Sequence, residues 1–180
     1  MKIFKLLLCC LFLSPCVSAS SQRIGRVDVD ADDSVRQFVQ GFYSWYVKEA
    51  IASRSVSAWS KAINEKGGAF DSELRRELGE DVLAQKEAVG EIVGLDFDPF
   101  LNGQDPSRDY VVLKVVSNGE VYFAEVHRVV SGRPEEKVAV TAVIAGKKGR
   151  WRFVDFLYPD NHHLLGILKA LKEDRDKPTQ

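Results

Sequence analysis

Residues 109–158 read DYVVLKVVSNGEVYFAEVHRVVSGRPEEKVAVTAVIAGKKGRWRFVDFLY, and this stretch decides the fold. Four runs in it, Tyr110 to Val116, Val121 to Val130, Val138 to Ile144 and Trp151 to Tyr158, are rich in β-branched and aromatic residues at strand length. They are joined by Asn118-Gly119, Ser131-Gly132-Arg133-Pro134 and Gly146-Lys147-Lys148-Gly149. Asn118-Gly119 predicts a tight hairpin with both central residues at positive φ. Four sequential strands with short connections predict an antiparallel meander.

Upstream the period changes to three and four. Val35, Phe38, Val39, Phe42, Trp45, Tyr46 and Ala50 mark one helix face, expected to be capped by Asp32 or Asp33 and to end near Ile51. Gly41 within it predicts close packing against a neighbour, since glycine otherwise costs a helix about 1 kcal/mol. Ala52 to Gly68 reads as a short helical turn and a loop around a buried Trp59. Asp71 is expected to cap a second helix carrying Leu74 and Leu78 and ended by Gly79, with a third short helix over Glu80 to Ala88. Downstream, Asp160 or Asn161 is expected to cap a last helix bearing Leu164, Leu165, Ile167, Leu168 and Leu171. The fold class is therefore α+β: N-terminal helices packed on a four-stranded antiparallel meander, with a closing C-terminal helix.

The 180 residues, 45% hydrophobic and 28% charged, suit one domain, placed at 32–173 after a lead-in at 20–31 and before a charged tail at 174–180. With 25 basic and 26 acidic residues the chain has a formal charge of -1, no footprint for nucleic acid. Residues 1–19 have the order of a secretory signal peptide: Lys2 and Lys5, an apolar run from Leu6 to Leu13, and the exit Val17-Ser18-Ala19. That run is too short for a transmembrane anchor. Cleavage after Ala19 and a periplasmic location are expected. The alternative is a lipoprotein anchored at Cys16, which Pro15 disfavours because lipid processing expects a small residue there. Cys9, Cys10 and Cys16 would all leave with the signal, so the mature domain would hold no disulfide and use no thiolate chemistry.

Leu95-Asp96-Phe97-Asp98-Pro99-Phe100 with Gln104-Asp105, and Trp151-Arg152-Phe153-Val154-Asp155-Phe156 followed by Leu164-Leu165 and Leu168, carry a resemblance. Across roughly Ser34 to Leu171 the chain resembles the YbjP/YqhG-like family of bacterial envelope domains of unknown function. The resemblance implies a cystatin-like or nuclear-transport-factor-like roll and export. It implies no established catalytic residues.

Three constellations are candidate sites. Asp96, Asp98, Asn102 and Asp105 offer hard oxygen ligands of the kind calcium takes, but Pro99-Phe100-Leu101 interrupts the spacing of an EF-hand loop. The preferred reading is a structural turn in which Asp98 precedes Pro99 in extended backbone and Asp96 and Asp105 accept loop amides. Strict strand alternation puts Glu125 and His127 on one face of their strand, and Trp151, Phe153 and Asp155 on one face of theirs. If both faces line a concavity, Asp155 and His127 could work as an acid-base pair. Arg133, Lys137, Lys147, Lys148, Arg150 and Arg152 form a basic patch at one sheet end if the hairpins stack, suited to an acidic partner. The neighbours His162 and His163 point about 100° apart on a helix and cannot readily share a metal, which leaves helix-start polarity as their role. No serine nucleophile elbow, zinc-type histidine spacing or phosphate-binding glycine loop occurs, so no cofactor is expected.

The leading functional expectation is a non-catalytic envelope module that binds a protein or small ligand. Two alternatives stand beside it: a periplasmic immunity protein that neutralises a type VI secretion effector, and a pocketed-roll enzyme using Asp155 and His127. The expected partner is an envelope or effector protein.

Overall fold

The computed structural model describes residues 29–53, 57–88, 93–147 and 149–177. The signal-peptide reading, the three cysteines and Lys148 lie outside the described residues. Among the described residues four α-helices, α1 (Val29–Ala52), α2 (Ala58–Glu65), α3 (Ser72–Glu87) and α4 (Leu164–Arg175), accompany four strands, β1 (Asp109–Asn118), β2 (Val121–Val130), β3 (Arg133–Lys147) and β4 (Arg150–Leu157). The strands form one antiparallel sheet in the order β1-β2-β3-β4, so the class is α+β with a meander. Among the described residues no helix is long and apolar enough to cross a membrane.

α1 lies across the sheet, chiefly over β1, and buries Val35, Val39, Phe42, Tyr43, Tyr46 and Val47 against Ala124, Val126, Val140, Ala142 and Ile144. It also finishes the free edge of β1. Gln40 donates to the Tyr110 carbonyl and accepts from the Val112 amide, both at 3.0 Å, while Arg36 donates to the Val112 carbonyl. Edge groups that would otherwise stay unpaired are thereby satisfied by side chains. The helix starts ahead of Asp32 and Asp33, so neither is its cap. Gly41 is exposed, and a Cβ built there meets nothing within 4 Å, so the close packing expected at it does not occur.

Asp71 does cap α3, accepting from the Glu73 amide at 2.9 Å. α3 then runs straight through Gly79 where two helices were expected. A glycine is only mildly unfavourable inside a helix, and the buried row Leu74, Glu77, Leu78 and Asp81 holds both halves against the core.

The first two of the three hairpin turns differ in detail from the expectation. Asn118 pairs with Val121, so the central residues are Gly119 and Glu120, and only Gly119 has positive φ. That is the pattern of a turn with glycine at its first central position. The turn with two positive φ angles is Ser131-Gly132, at 51° and 76°, and Pro134 falls inside β3 opposite Val129. β4 pairs only with Thr141 to Lys147, so β3 from Arg133 to Val140 has β2 on one side and, among the described residues, no strand on the other. A proline without an N–H is tolerated on such an edge.

The core is unusually aromatic around one residue from a loop. Phe100, fully buried, meets Phe42, Tyr46, Phe70 and Phe156 at ring-centroid distances of 4.9 to 5.5 Å. The segment between α3 and β1 is thus plugged into the middle of the domain.

Candidate functional site

Three tyrosine hydroxyls hold that plug. Tyr46 donates to the Asp98 carboxylate at 2.5 Å, Tyr43 to the Phe100 carbonyl at 2.7 Å and Tyr158 to the Pro99 carbonyl at 2.9 Å. Each phenol sits in apolar surroundings and needs an acceptor there. The other Asp98 oxygen accepts the amides of Phe100 and Leu101, at 3.0 and 3.1 Å. Asp98 therefore folds the turn with its own carboxylate, whereas the turn reading gave it only extended backbone before Pro99 and left the loop amides to Asp96 and Asp105. Asp96 and Asp105 play a different part from the one expected: their backbone carbonyls accept Gln104 Nε2 and Arg128, and among the described residues their carboxylates take no loop amide.

A solvent-open cleft of about 450 Å³ lies beside this turn. One wall is the end of α1 and the start of α2, with Ala50 and Trp59; the other is Phe97, Asp98 and Gln104 of the loop, with Gln85 of α3 behind. Burial pushes the Asp98 carboxyl up to about 6, against the lowering effect of the bonds from Tyr46, Phe100 and Leu101. Burial also raises the Tyr46 phenol far above its ordinary value, reinforced by the Asp98 charge, so the proton stays on Tyr46 and the bond runs from phenol to carboxylate. A partly desolvated carboxyl in a cleft of this size marks a candidate binding site on physical grounds.

The turn does not assemble the calcium set. Asn102 is turned away to donate to the Ala139 carbonyl at 3.0 Å, with its backbone at φ 52°. Among the described residues no group of three or more His, Cys, Asp or Glu side chains could hold a metal ion.

The residues expected to line a pocket on the strands have other tasks. β4 carries a bulge: Phe153 pairs with Ile144 and Asp155 with Val143, so Val154 is an extra residue. Trp151 and Phe153 point into the core, whereas the bulge ends strict alternation and frees Asp155 to reach α4. Its Oδ1 accepts the Leu165 amide at 3.0 Å and its Oδ2 lies 2.7 Å from His163 Nδ1. His163 is the residue before α4, so the position expected of Asp160 or Asn161 belongs to it. Its Nδ1 is also 3.3 Å from the Gly166 amide, a contact that needs an unprotonated nitrogen. The shorter contact, to a carboxylate that only accepts, requires the proton on Nδ1, so Asp155 is the group that caps the helix start.

His127 is buried, with Nδ1 at 2.8 Å from the Glu135 carbonyl. That carbonyl lies in an irregular stretch where Glu135, Glu136 and Lys137 of β3 face only Arg128 of β2, and the imidazole fills the break in the ladder. Among the described residues the His127 Nε2 atom has no hydrogen-bond partner; it lies 4.0 Å from Glu125, which pairs instead with Lys114 at 3.2 Å. His127 and Asp155 sit on strands either side of β3, opposite Val138 and Val143, roughly 15 Å apart along it. The acid-base pair is not assembled. Nor is the single basic patch: Arg133 and Lys137 lie near the opposite end of β3 from Lys147, whose ammonium pairs with Glu120 across the other turns. Arg150 and Arg152 are exposed beside Lys147.

Sequence reasoning missed Tyr43, Tyr46 and Tyr158 as the residues that build the site. A signal was available, since two phenols three residues apart within an otherwise apolar helix face require buried acceptors somewhere in the fold. Comparison with family models, with curated proteins and with solved structures returns no match.

Proposed function

We propose that this chain is an exported, non-catalytic envelope module that binds a small ligand or a short segment of a partner protein in the cleft beside Asp98. The observation that carries the reading is the cleft itself: it combines a partly desolvated carboxyl, apolar walls and a rim of polar side chains, held on a loop that three tyrosines keep rigid. Non-catalytic binding is favoured because the two histidine-carboxylate contacts that reach the sheet have structural surroundings, His163 with Asp155 at the head of α4 and His127, near Glu125, bonded to the Glu135 carbonyl in the β2–β3 ladder, while His162 and Asp160 form an exposed pair two residues apart. The resemblance to the YbjP/YqhG-like envelope domains and the signal-like N-terminus support the setting.

Gly103 provides the test. It lines the cleft and a Cβ there meets nothing within 4 Å, so Gly103→Phe fills the space without disturbing the core. Envelope extract is passed over the wild-type domain and over this variant, and bound species are identified by mass spectrometry of the intact complex. The reading expects a species retained by wild type and by Arg150→Glu, and lost from Gly103→Phe. Equal retention by all three proteins would remove the cleft from the explanation.

A further inference from the structure

We infer that the face of the sheet turned away from α1 seats a second copy of this chain, the two sheets stacking back to back about a two-fold axis. The ladder defines that face row by row. Val116, Phe123, Val143 and Asp155 stand in one row across β1, β2, β3 and β4, and Lys114, Glu125, Thr141 and Leu157 stand in the next. Their chain neighbours Val115, Tyr122, Ala142 and Phe156 belong to the core or pack against it, whereas among the described residues Val116, Phe123, Val143 and Leu157 do not. Leu113, at the bulge beside Lys114, is 47% exposed and Val116 is 43% exposed. This surface is separate from the cleft, whose walls come from the helices and the loop.

The sequence of the strands says that this face is covered. An antiparallel sheet whose second face meets water alternates apolar with polar residues, and a strand covered on both sides loses that alternation. Residues 138–145 of β3 read VAVTAVIA, with Thr141 as the single polar residue. The row from Val116 through Phe123 to Val143 is apolar across three strands. The chain's own lead-in is a poor cover, because residues 20–28 bring Ile24 and Val27 as their only large apolar side chains.

Charge and size both favour a second copy. Lys114 and Arg152 stand on the face with Glu125 and Asp155, so it has no net sign with which to select an acidic or a basic partner. An axis running along the strands between β2 and β3 lays Phe123 on the partner's Val143 and β1 on the partner's β4. Lys114, 60% exposed, then comes beside the partner's Asp155, and the symmetry makes that pair twice. Four strands about 4.8 Å apart, with roughly seven paired residues at about 3.3 Å each, present roughly 440 Å² of flat face. Two copies together cover about 900 Å² before side-chain relief, close to the ~1,000 Å² of a specific interface, which places the dimer in the micromolar range. The pairing is face to face and closed by its axis, so it uses no strand edge and does not propagate.

Sedimentation velocity of the full mature chain from about 1 to about 300 μM, which brackets a micromolar dimer, is the test. Wild type should pass from monomer to dimer across that range. Val116→Glu and Phe123→Glu should each weaken the dimer about tenfold or more, since each places an unpaired charge in the apolar row. Val116 lies at the surface, so its variant keeps the fold even where Phe123→Glu does not. Leu83→Glu, at a residue 58% exposed on α3, should dimerise as wild type does. A chain that stays monomeric throughout overturns the inference, as does a dimer equally strong in both face variants or lost in Leu83→Glu alone. NMR contacts from the Phe123 ring to Ile24 or Val27 in a monomeric chain would give the face to the lead-in, and overturn it too.

Discussion

The Tyr46 hydroxyl reaches the Asp98 carboxylate at 2.5 Å, joining the C-terminal part of the first helix to a turn 52 residues later in the chain. This one bond couples the core helix to the charge state of the cleft. Tyr46→Phe removes a charge-assisted donor from a partly buried acceptor, and should lower stability at pH 7.5 by about 1.5–3 kcal/mol. Because the phenol lowers the Asp98 pKa, the variant's carboxyl should titrate above about 6. Urea unfolding and the Asp98 carboxyl carbon shift measure the two effects.

Stability should depend on pH through the same carboxyl. The folded pKa, about 6, stands above the ordinary value of 3.8, so the native state binds more protons across that window. The stabilisation from this group is full below 3.8 and is lost as pH rises through about 6. The whole swing is about 3 kcal/mol at roughly 1.4 per pKa unit. Unfolding free energies at pH 7.5, 6 and 5 should therefore show a component that rises with acidity and is missing from Asp98→Asn. An unchanged slope in that variant would assign the effect elsewhere.

Gly94 sets a limit on the loop's entry. Its φ is +91°, and a Cβ there would come within 2.5 Å of Asp81 Oδ1. Asp81 is fully buried, accepts the Leu95 amide at 3.0 Å and pairs with Arg175. Gly94→Ala should cost about 2–4 kcal/mol, from the left-handed backbone and the displaced ion pair together. Arg175→Met, which leaves the Asp81 charge buried alone, should cost a similar amount, and the double variant less than the sum. Thermal melts of the three proteins test this.

Asp155→Ala should release the start of α4. The Leu165 amide and the His163 ring both lose their acceptor, and the expected cost is about 1–2 kcal/mol, that of a lost helix cap. Hydrogen exchange should accelerate first at Leu165 and Gly166. An acid-base role for Asp155 would instead require a residue at catalytic distance, and the ring it touches, His163, is already held by that contact.

Strands and helices were legible where side-chain period alone decides them: the four β runs, the α1 face and the Asp71 cap. Alternation failed at Asp155 because one inserted residue, Val154, resets the register, and an insertion of that kind leaves period-two sequence on both sides of it. Gly79 misled because helix continuity there is decided by Leu78 and Asp81 packing on other elements, which local propensity does not contain. The site was half legible. Asp96 to Asp105 stood out as a motif, but its meaning depends on tyrosines from α1 and from beyond β4, which only the folded chain brings to it.

The unpaired flank of β3 carries a wider consequence. A free strand edge is a template on which a second chain can pair and start an aggregate. Here Pro134 withholds one donor, Glu135, Glu136 and Lys137 are exposed charges within an irregular stretch, and Asn102 occupies the Ala139 carbonyl. The loop that shapes the cleft therefore also guards the sheet against self-association, so variants that loosen it should be recognised by their solubility as much as by their binding.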